Sequence, residues 1–251
     1  MRRYKLGWKP SGYSKKDYRW SNKPSAVALS SKVFSVSDNF SFEHFIPWIW
    51  DQDNGDCGPH AALLGHALRD VLKGDLPRKY SRRFLYYWAR RAKGFLNTYR
   101  DSGVYPRLMF DKLRKIGVPK EKFWPYSKSI SKRPDTRATR KASKFRLGEY
   151  WLAESNKDIQ TAMLSDRPVC VGLHLDNAFF GLRSTDVWER TGSIVGGHYM
   201  LIVGWRTNKN GELEWRLANS WGRGFCDNGF CWITDNAMQS GSDKYIIRGW
   251  E

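Results

Sequence analysis

No stretch of this 251-residue chain approaches the roughly 18 consecutive apolar residues that a membrane-spanning helix needs. Behind Met1 there is basic sequence and no apolar segment, so no secretory signal is visible. Four cysteines, Cys57, Cys170, Cys226 and Cys231, are too few to staple a chain of this size. Cys170 lies in an apolar strand-like run and reads as a buried small residue. Cys226 and Cys231 flank the turn sequence Asp227-Asn228-Gly229-Phe230 and could bridge under oxidising conditions, but they lack the further close ligands a zinc site needs. Internal repeats and low-complexity tracts are absent. No metal or organic cofactor is expected.

Acid is scarce in one place. Residues 73–146 carry 23 Lys and Arg against 5 Asp and Glu, which accounts for the whole net charge of +18 and leaves the remainder neutral. A basic face of that density attracts nucleic acid, an acidic protein or an anionic surface. The plainer alternative is a solvated face that keeps the protein soluble. Polyanion or nucleic-acid contact through residues 73–146 is therefore one partner expectation, and a charged border to the cleft at Arg82, Arg83, Arg90 and Arg91 is another.

What is abundant is aromatic mass: 13 Trp, 12 Tyr and 13 Phe supply a large core for one domain or two lobes. Residues 1–40 read as a basic arm whose Trp8, Tyr18 and Trp20 pack along the body. Residues 41–251 read as the folded domain, helical over about 50–165 and β-rich over about 166–251. The spacing of Leu64, Ala67, Leu68 and Val71 predicts a helix with Cys57 at its start and Pro59 in its first turn. Ser81 is placed to cap a second helix, with Phe84, Leu85 and Trp88 among its buried positions. Pro106 opens a third that stops at Gly117, and Ser155 or Asn156 caps a fourth. Residues 127–146 have no clear period and read as a loop. Strands are expected at Val169–Leu175, His198–Trp205, Glu214–Asn219, Phe230–Thr234 and Tyr245–Gly249, with a hairpin at Asn208–Gly211. The fold class is α+β, with a cleft between a helical and a β-rich part.

Chemistry concentrates at a few points. Cys57 at a helix N-terminus is a candidate nucleophile, since the positive end of the helix dipole favours thiolate. His198, after Gly196-Gly197 and before an apolar strand, is the candidate base. Asn219 can accept the second imidazole N–H and fix the tautomer, and Trp221 can shield that bond from water. Gln52 can donate to an oxyanion beside the Cys57 N–H. Each residue alone has a bland reading: a buried cysteine, a structural histidine, a core tryptophan. Their order along the chain favours the catalytic one. His60 and His66 lie on the Cys57 helix and read as packing or solvent-facing residues.

The sequence resembles the papain-like cysteine peptidases. Gly196-Gly197-His198 with its apolar strand is similar to their histidine motif, and Asn219-Ser-Trp-Gly-Arg-Gly-Phe-Cys-Asp-Asn-Gly-Phe230 to their asparagine motif. Ser81–Tyr87, Asp101–Gly103, Phe123–Tyr126 and Leu6–Pro10 resemble segments of the microbial branch. The separations of 141 residues from Cys57 to His198 and 21 from His198 to Asn219 fit the Cys…His…Asn order. The resemblance implies a two-lobed papain-like fold, a protein or peptide substrate, Phe225 on the primed side of the cleft, and Gly103 and Gly197 beside the substrate main chain. It departs at the nucleophile, where Gly58-Pro59 replace the usual aromatic, and at Gln52, which lies five residues before the cysteine rather than six. The family's paired cysteines in the helical half are missing, which fits a reducing compartment and a cytoplasmic or virion-associated protein. An arm of about 40 residues is shorter than a long inhibitory propeptide, and closure of that kind is not expected. The competing reading is a weak or inactive member with a structural or nucleic-acid-binding role.

Overall fold

The computed structural model describes residues 4–23 and 38–250. The remainder of the expected arm, 1–3 and 24–37, lies outside the described residues. The chain is organised around α1, Cys57–Leu72, a helix of 16 residues. The expected one-sided apolar face is in fact an apolar interior on nearly every side. Leu63, Leu64, Ala67 and Leu68 are buried, and so are His60 and His66. A helix apolar all round is a core helix, and α1 lies between the two lobes. On one side it docks on the sheet through Gly65, where an added Cβ would come within 2.9–3.3 Å of Ile247, Pro168 and Leu201.

The helical lobe follows. Helix α2, Arg82–Arg91, is capped by Ser81, whose Oγ accepts from Phe84 N at 3.1 Å and donates to the Trp124 carbonyl at 2.5 Å. Helix α3, Pro106–Lys115, starts on proline as expected and stops before Gly117 at φ +82°. The expected loop at 127–146 contains a seven-residue helix, α4, Thr136–Ala142, capped by Asp135. Only Ala138 and Ala142 of it are buried, too little apolar pattern to register as a period. Helix α5, Asn156–Met163, carries a capping box between Ser155 and Asp158, deciding the cap in favour of Ser155.

The β-rich lobe is one sheet of eight strands among the described residues: β1 Asn39–Ser41, β2 Tyr150–Leu152, β3 Val169–Leu175, β4 Val187–Trp188, β5 Gly196–Thr207, β6 Leu213–Ala218, β7 Phe230–Thr234 and β8 Ser242–Ile247. The order is β2-β8-β3-β5-β6-β7-β4, with β1 also on β5. Pairing is antiparallel except between β4 and β7. Strands β1, β2 and β4, two or three residues each, and helix α6, Asp235–Ser240, carry no legible sequence period. The last strand begins three residues earlier than expected, and Asp243 within it takes φ +51° near a register shift against β3. Of the arm, Trp8 and Trp20 are buried as expected, whereas Tyr18 is 64% exposed. Cys170 is buried, and Cys226 and Cys231 are free thiols.

Ser81 ties the start of α2 to the turn at Trp124, so Ser81→Ala removes a cap and strands a carbonyl. The expected loss is about 1–2 kcal/mol of stability, read as a lower urea midpoint with an unchanged m-value.

Candidate active site

Strand β5 carries His198 into the interior at its third residue, fully buried. Its Nε2 donates to Asn219 Oδ1 at 2.7 Å. The same Oδ1 accepts the Ser220 backbone N–H at 2.7 Å, which fixes the amide's orientation and hence the imidazole tautomer. Nδ1 is left with no hydrogen-bond partner among the described residues. The Trp221 indole stacks on the imidazole at 4.4 Å and 25°, and Phe225 meets that indole edge-on at 5.0 Å. Burial outweighs the Asn219 bond and pushes His198 down to about 4.

Cys57 is the first residue of α1 and is also fully buried. Backbone groups of Tyr199, Gly58 and Gly7 hydrogen-bond to its sulfur. Tyr199 is the neighbour of His198 on β5, so the strand that carries His198 passes the start of α1. Burial pushes the thiol up to about 12, and the Asp56 carboxylate adds to that. The thiolate expected from a helix N-terminus is thus not favoured in this closed site, because desolvation exceeds the dipole.

Gln52 is buried with its Nε2 facing the cleft. Its Oε1 accepts from Ser220 Oγ at 2.5 Å, which orients the amide so that Nε2 donates to the carbonyls of Lys5 and Asn54 at 3.0 and 2.8 Å. Trp221 Nε1 donates to the same Lys5 oxygen at 3.2 Å. A carbonyl oxygen of the arm therefore rests on the Gln52 amide N–H and the Trp221 indole N–H. The arm continues through the cleft. Tyr4 stacks on Trp221 at 4.4 Å, Gly7 and Trp8 N–H donate to Gly197 O at 3.1 and 3.0 Å, and Leu6 lies against Gly196. Closure by the arm was not anticipated from its length. Three glycines permit it, since a Cβ on Gly7 would fall 1.9 Å from Gly55 O and one on Gly103 would fall 2.1 Å from Gly7 O.

Gly103 itself does not pair with the arm. Its N–H is taken by Tyr86 Oη at 3.1 Å, and the main-chain ladder falls one residue on. Val104 N donates to Gly7 O at 2.7 Å and Lys9 N to Val104 O at 3.0 Å, a parallel bridge. The Trp8 indole fills a pocket between Gly172 and Gly197, tilts against His174 at 4.8 Å and donates to Asp243 Oδ2 at 2.9 Å. Asp243 is buried, and burial raises its carboxyl above the usual range.

Behind Cys57 lies a network that sequence reasoning missed. Asp56 is fully buried. Its Oδ2 faces Arg83 Nη1 at 3.6 Å, an ion-pair distance outside hydrogen-bond range, and its Oδ1 accepts from Tyr126 Oη at 3.2 Å. Arg83 also donates to Asp53 Oδ1 at 3.0 Å. Arg82 donates to Glu121 at 2.7 Å and to His60 Nε2 at 3.1 Å, so His60 is neutral and donates from Nδ1 to Asp56 O. Arg90 is buried among the carbonyls of Thr98, Arg100 and Ile130. Three of the four arginines expected to border the cleft are thus internal ties. A helix that buries charge by pairing it looks in sequence like one that exposes it.

The described residues contain no group of His, Cys, Asp and Glu able to hold a metal ion. The geometry is that of a thiol, an imidazole with one free nitrogen, an amide that orients it, and a donor aimed at a carbonyl oxygen. A sequence pattern described as papain family cysteine protease matches residues 101–248, and the chain belongs to that family. The match includes His198 and Asn219 and begins after Cys57. Cathepsin B-like protease 1 of Arabidopsis thaliana is 29% identical over 103 residues, 41% of this chain and 27% of that protein. Cathepsin B-like cysteine proteinase 3 of Caenorhabditis elegans is 26% identical over 178 residues, 68% of this chain and 46% of its own length. The chain thus spans less than half the length of these relatives. In three dimensions it is similar to xylellain, a cysteine protease from Xylella fastidiosa, with a TM-score of 0.84 at 22% identity, covering 100% of this chain and 99% of that one. It is also similar to proCathepsin B S9 from Trypanosoma congolense, at 0.78 and 15% identity over 98% and 85% of the two chains. The fold is therefore papain-like.

Burial raises the Asp56 carboxyl to about 7 even with Arg83 beside it. Above that pH it is ionised and depends on Arg83; below it the group holds a proton and depends on Arg83 less. Arg83→Gln should then cost about 3–5 kcal/mol at pH 8.5 and visibly less at pH 5.5, measured by denaturant unfolding at the two pH values.

Proposed function

We propose that this chain is a cysteine-type endopeptidase whose cleft is closed by its own N-terminal arm. Once the arm leaves and water enters, His198 Nδ1 takes the Cys57 proton. The sulfur then attacks a peptide carbonyl carbon, forming the C–S bond and moving the π electrons onto oxygen. Gln52 Nε2 and the Cys57 N–H receive that oxyanion. Collapse breaks the C–N bond, the leaving amine takes the proton from His198, and water hydrolyses the thioester to restore the thiol. Asn219 holds the imidazole in the tautomer that this sequence needs.

The observation that carries the reading is the Lys5 carbonyl oxygen held by Gln52 Nε2 and Trp221 Nε1. The arm runs from Tyr4 beside Phe225 to Trp8 beside Val104. With Phe225 on the leaving-group side, a substrate runs the opposite way, from Val104 toward Phe225. The arm's peptide bonds therefore present reversed polarity, which supports occupancy without cleavage. Substrate would take over the pocket that Trp8 now fills. Asp243 at its floor favours a flat side chain with an N–H donor, such as Trp or Arg, over an aliphatic one.

Displacing the arm should free the thiol. Gly7→Val, which cannot cross Gly55, or Trp8→Ala should speed alkylation of Cys57 by iodoacetamide at pH 7 at least tenfold, and adding His198→Ala should return the rate to the slow level. In the same opened protein Cys57→Ala should leave no peptide hydrolysis. Cleavage by that variant at the parental rate would sink the proposal.

Specificity supplies a separate check. Asp243→Leu in the Gly7→Val protein should lower kcat/KM for peptides with Arg at that position by roughly tenfold or more and raise it for Leu. The comparison is made with fluorogenic peptides differing only there.

A further inference from the structure

From Lys112 to Arg146 the chain holds 13 Lys and Arg and only two acids, Glu121 and Asp135. Both acids are engaged, Glu121 with Arg82 and Asp135 with the Ala138 N–H that caps α4. Among the described residues none of those basic side chains makes an ion pair. Elsewhere arginines are paired: Arg107 with Asp17, Arg206 with Glu214, and Arg216 with Glu43 and Asp227. Basic charge without a paired acid is thus densest in this segment.

The fold gathers that segment onto one face. Gly117, just past α3, lies against the carbonyls of Ala142 and Phe145, so the end of α3 runs beside the chain that follows α4. The Phe123 ring, half-buried, has Lys122, Arg137 and Lys141 at 5.4, 5.5 and 5.4 Å. These lie near the outer limit of about 6 Å for a cation–π contact, so an incoming planar group can replace them. The same helix α4 borders a recess of about 690 Å³, lined by Trp88, Arg133, Asp135, Thr136 and Arg140 among others. The Trp88 indole N–H has no hydrogen-bond partner among the described residues.

Two plainer explanations account for part of this. Basic residues in the last turns of α3 and α4 complement the negative ends of their dipoles. That leaves Lys120, Lys122, Lys128, Lys132, Arg133, Arg137, Lys144 and Arg146, which lie on no such turn. A membrane surface would require apolar anchors among the charges, but the exposed large apolar residues, such as Leu76, Leu164, Ile194 and Val195, lie outside this segment. An acidic polypeptide would use the charges and leave the ring and the indole recess without a role. A single strand of nucleic acid uses all three, with phosphates on the cations and bases on the aromatic rings.

We infer that the face formed by residues 112–146 binds single-stranded nucleic acid, with Phe123 and the Trp88 recess receiving bases. The inference is independent of the chemistry at Cys57. It is tested by titrating the intact protein into fluorescein-labelled poly(dT) at several salt concentrations and following anisotropy. Affinity should fall with salt at about −0.7 in log–log slope per phosphate engaged. Arg137→Gln, Lys141→Gln and Lys144→Gln together should reduce that slope by about two. Phe123→Ala should weaken binding roughly tenfold with the slope kept, as expected for a lost stacking platform. Both variants are checked for unchanged thermal unfolding, and Phe123→Tyr should restore affinity. A slope untouched by the triple substitution, Phe123→Ala binding like the parent, or polyglutamate or phosphatidylserine vesicles matching poly(dT) at equal salt would each overturn the inference.

Discussion

The start of α1 has to satisfy two demands that oppose each other. It must present a thiol to the cleft, and it must lie in the interior, because the helix behind it is packed on nearly all sides. Burial of a helix start strands N–H groups and raises the energy of any charge placed there. The chain meets the first difficulty with Pro59, which has no N–H to strand. It meets the second with an internal set of charges and dipoles, Asp56, Arg83, Tyr126, Arg82 and His60, that extends from the loop before Cys57 to α2. The loop carrying Gln52 is therefore tethered at several points rather than resting on the surface. The position of the Gln52 amide follows from that tethering.

The other half of the site comes from the sheet, and its logic is different. β5 delivers His198 by register with β3, and the turn after β6 delivers Asn219 and Trp221. Nothing there needs charge. The imidazole is oriented by one amide, and the amide by one backbone N–H. Covered by the arm, both the thiol and the imidazole stay neutral, since a dry cleft penalises the ion pair that peptide cleavage would use. Opening the cleft therefore changes electrostatics as well as access.

Much of this was legible in the chain, for reasons that can be named. Helices α1, α2 and α3 announce themselves through period, cap and stop, and the long strands through β-branched and aromatic runs. His198 and Asn219 stand out because glycines, an apolar strand and a turn frame them. What was not legible depends on partners distant in sequence. Arg83 and Arg90 read as surface charge because pairing, not composition, buries them. Gly7 reads as a linker residue until it meets Gly55 and Gly103. Asp243 acquires its inward aim from a left-handed backbone position beside a register shift, and α4 exists through two alanines. The arm's main-chain ladder falls at Val104, one residue past Gly103, because Tyr86 takes the Gly103 N–H.

The tryptophan anchor has one more consequence. Asp243 in the closed state accepts from both the Trp8 indole and the Ser11 N–H. Withdrawal of the arm strips the buried Asp243 carboxyl of both donors, which disfavours the vacant form relative to the closed one. An arm tethered to the same chain competes at a fixed local concentration. If the chain cleaves peptides as proposed, its KM carries the closure equilibrium as a multiplier, and diluting the protein leaves that multiplier unchanged.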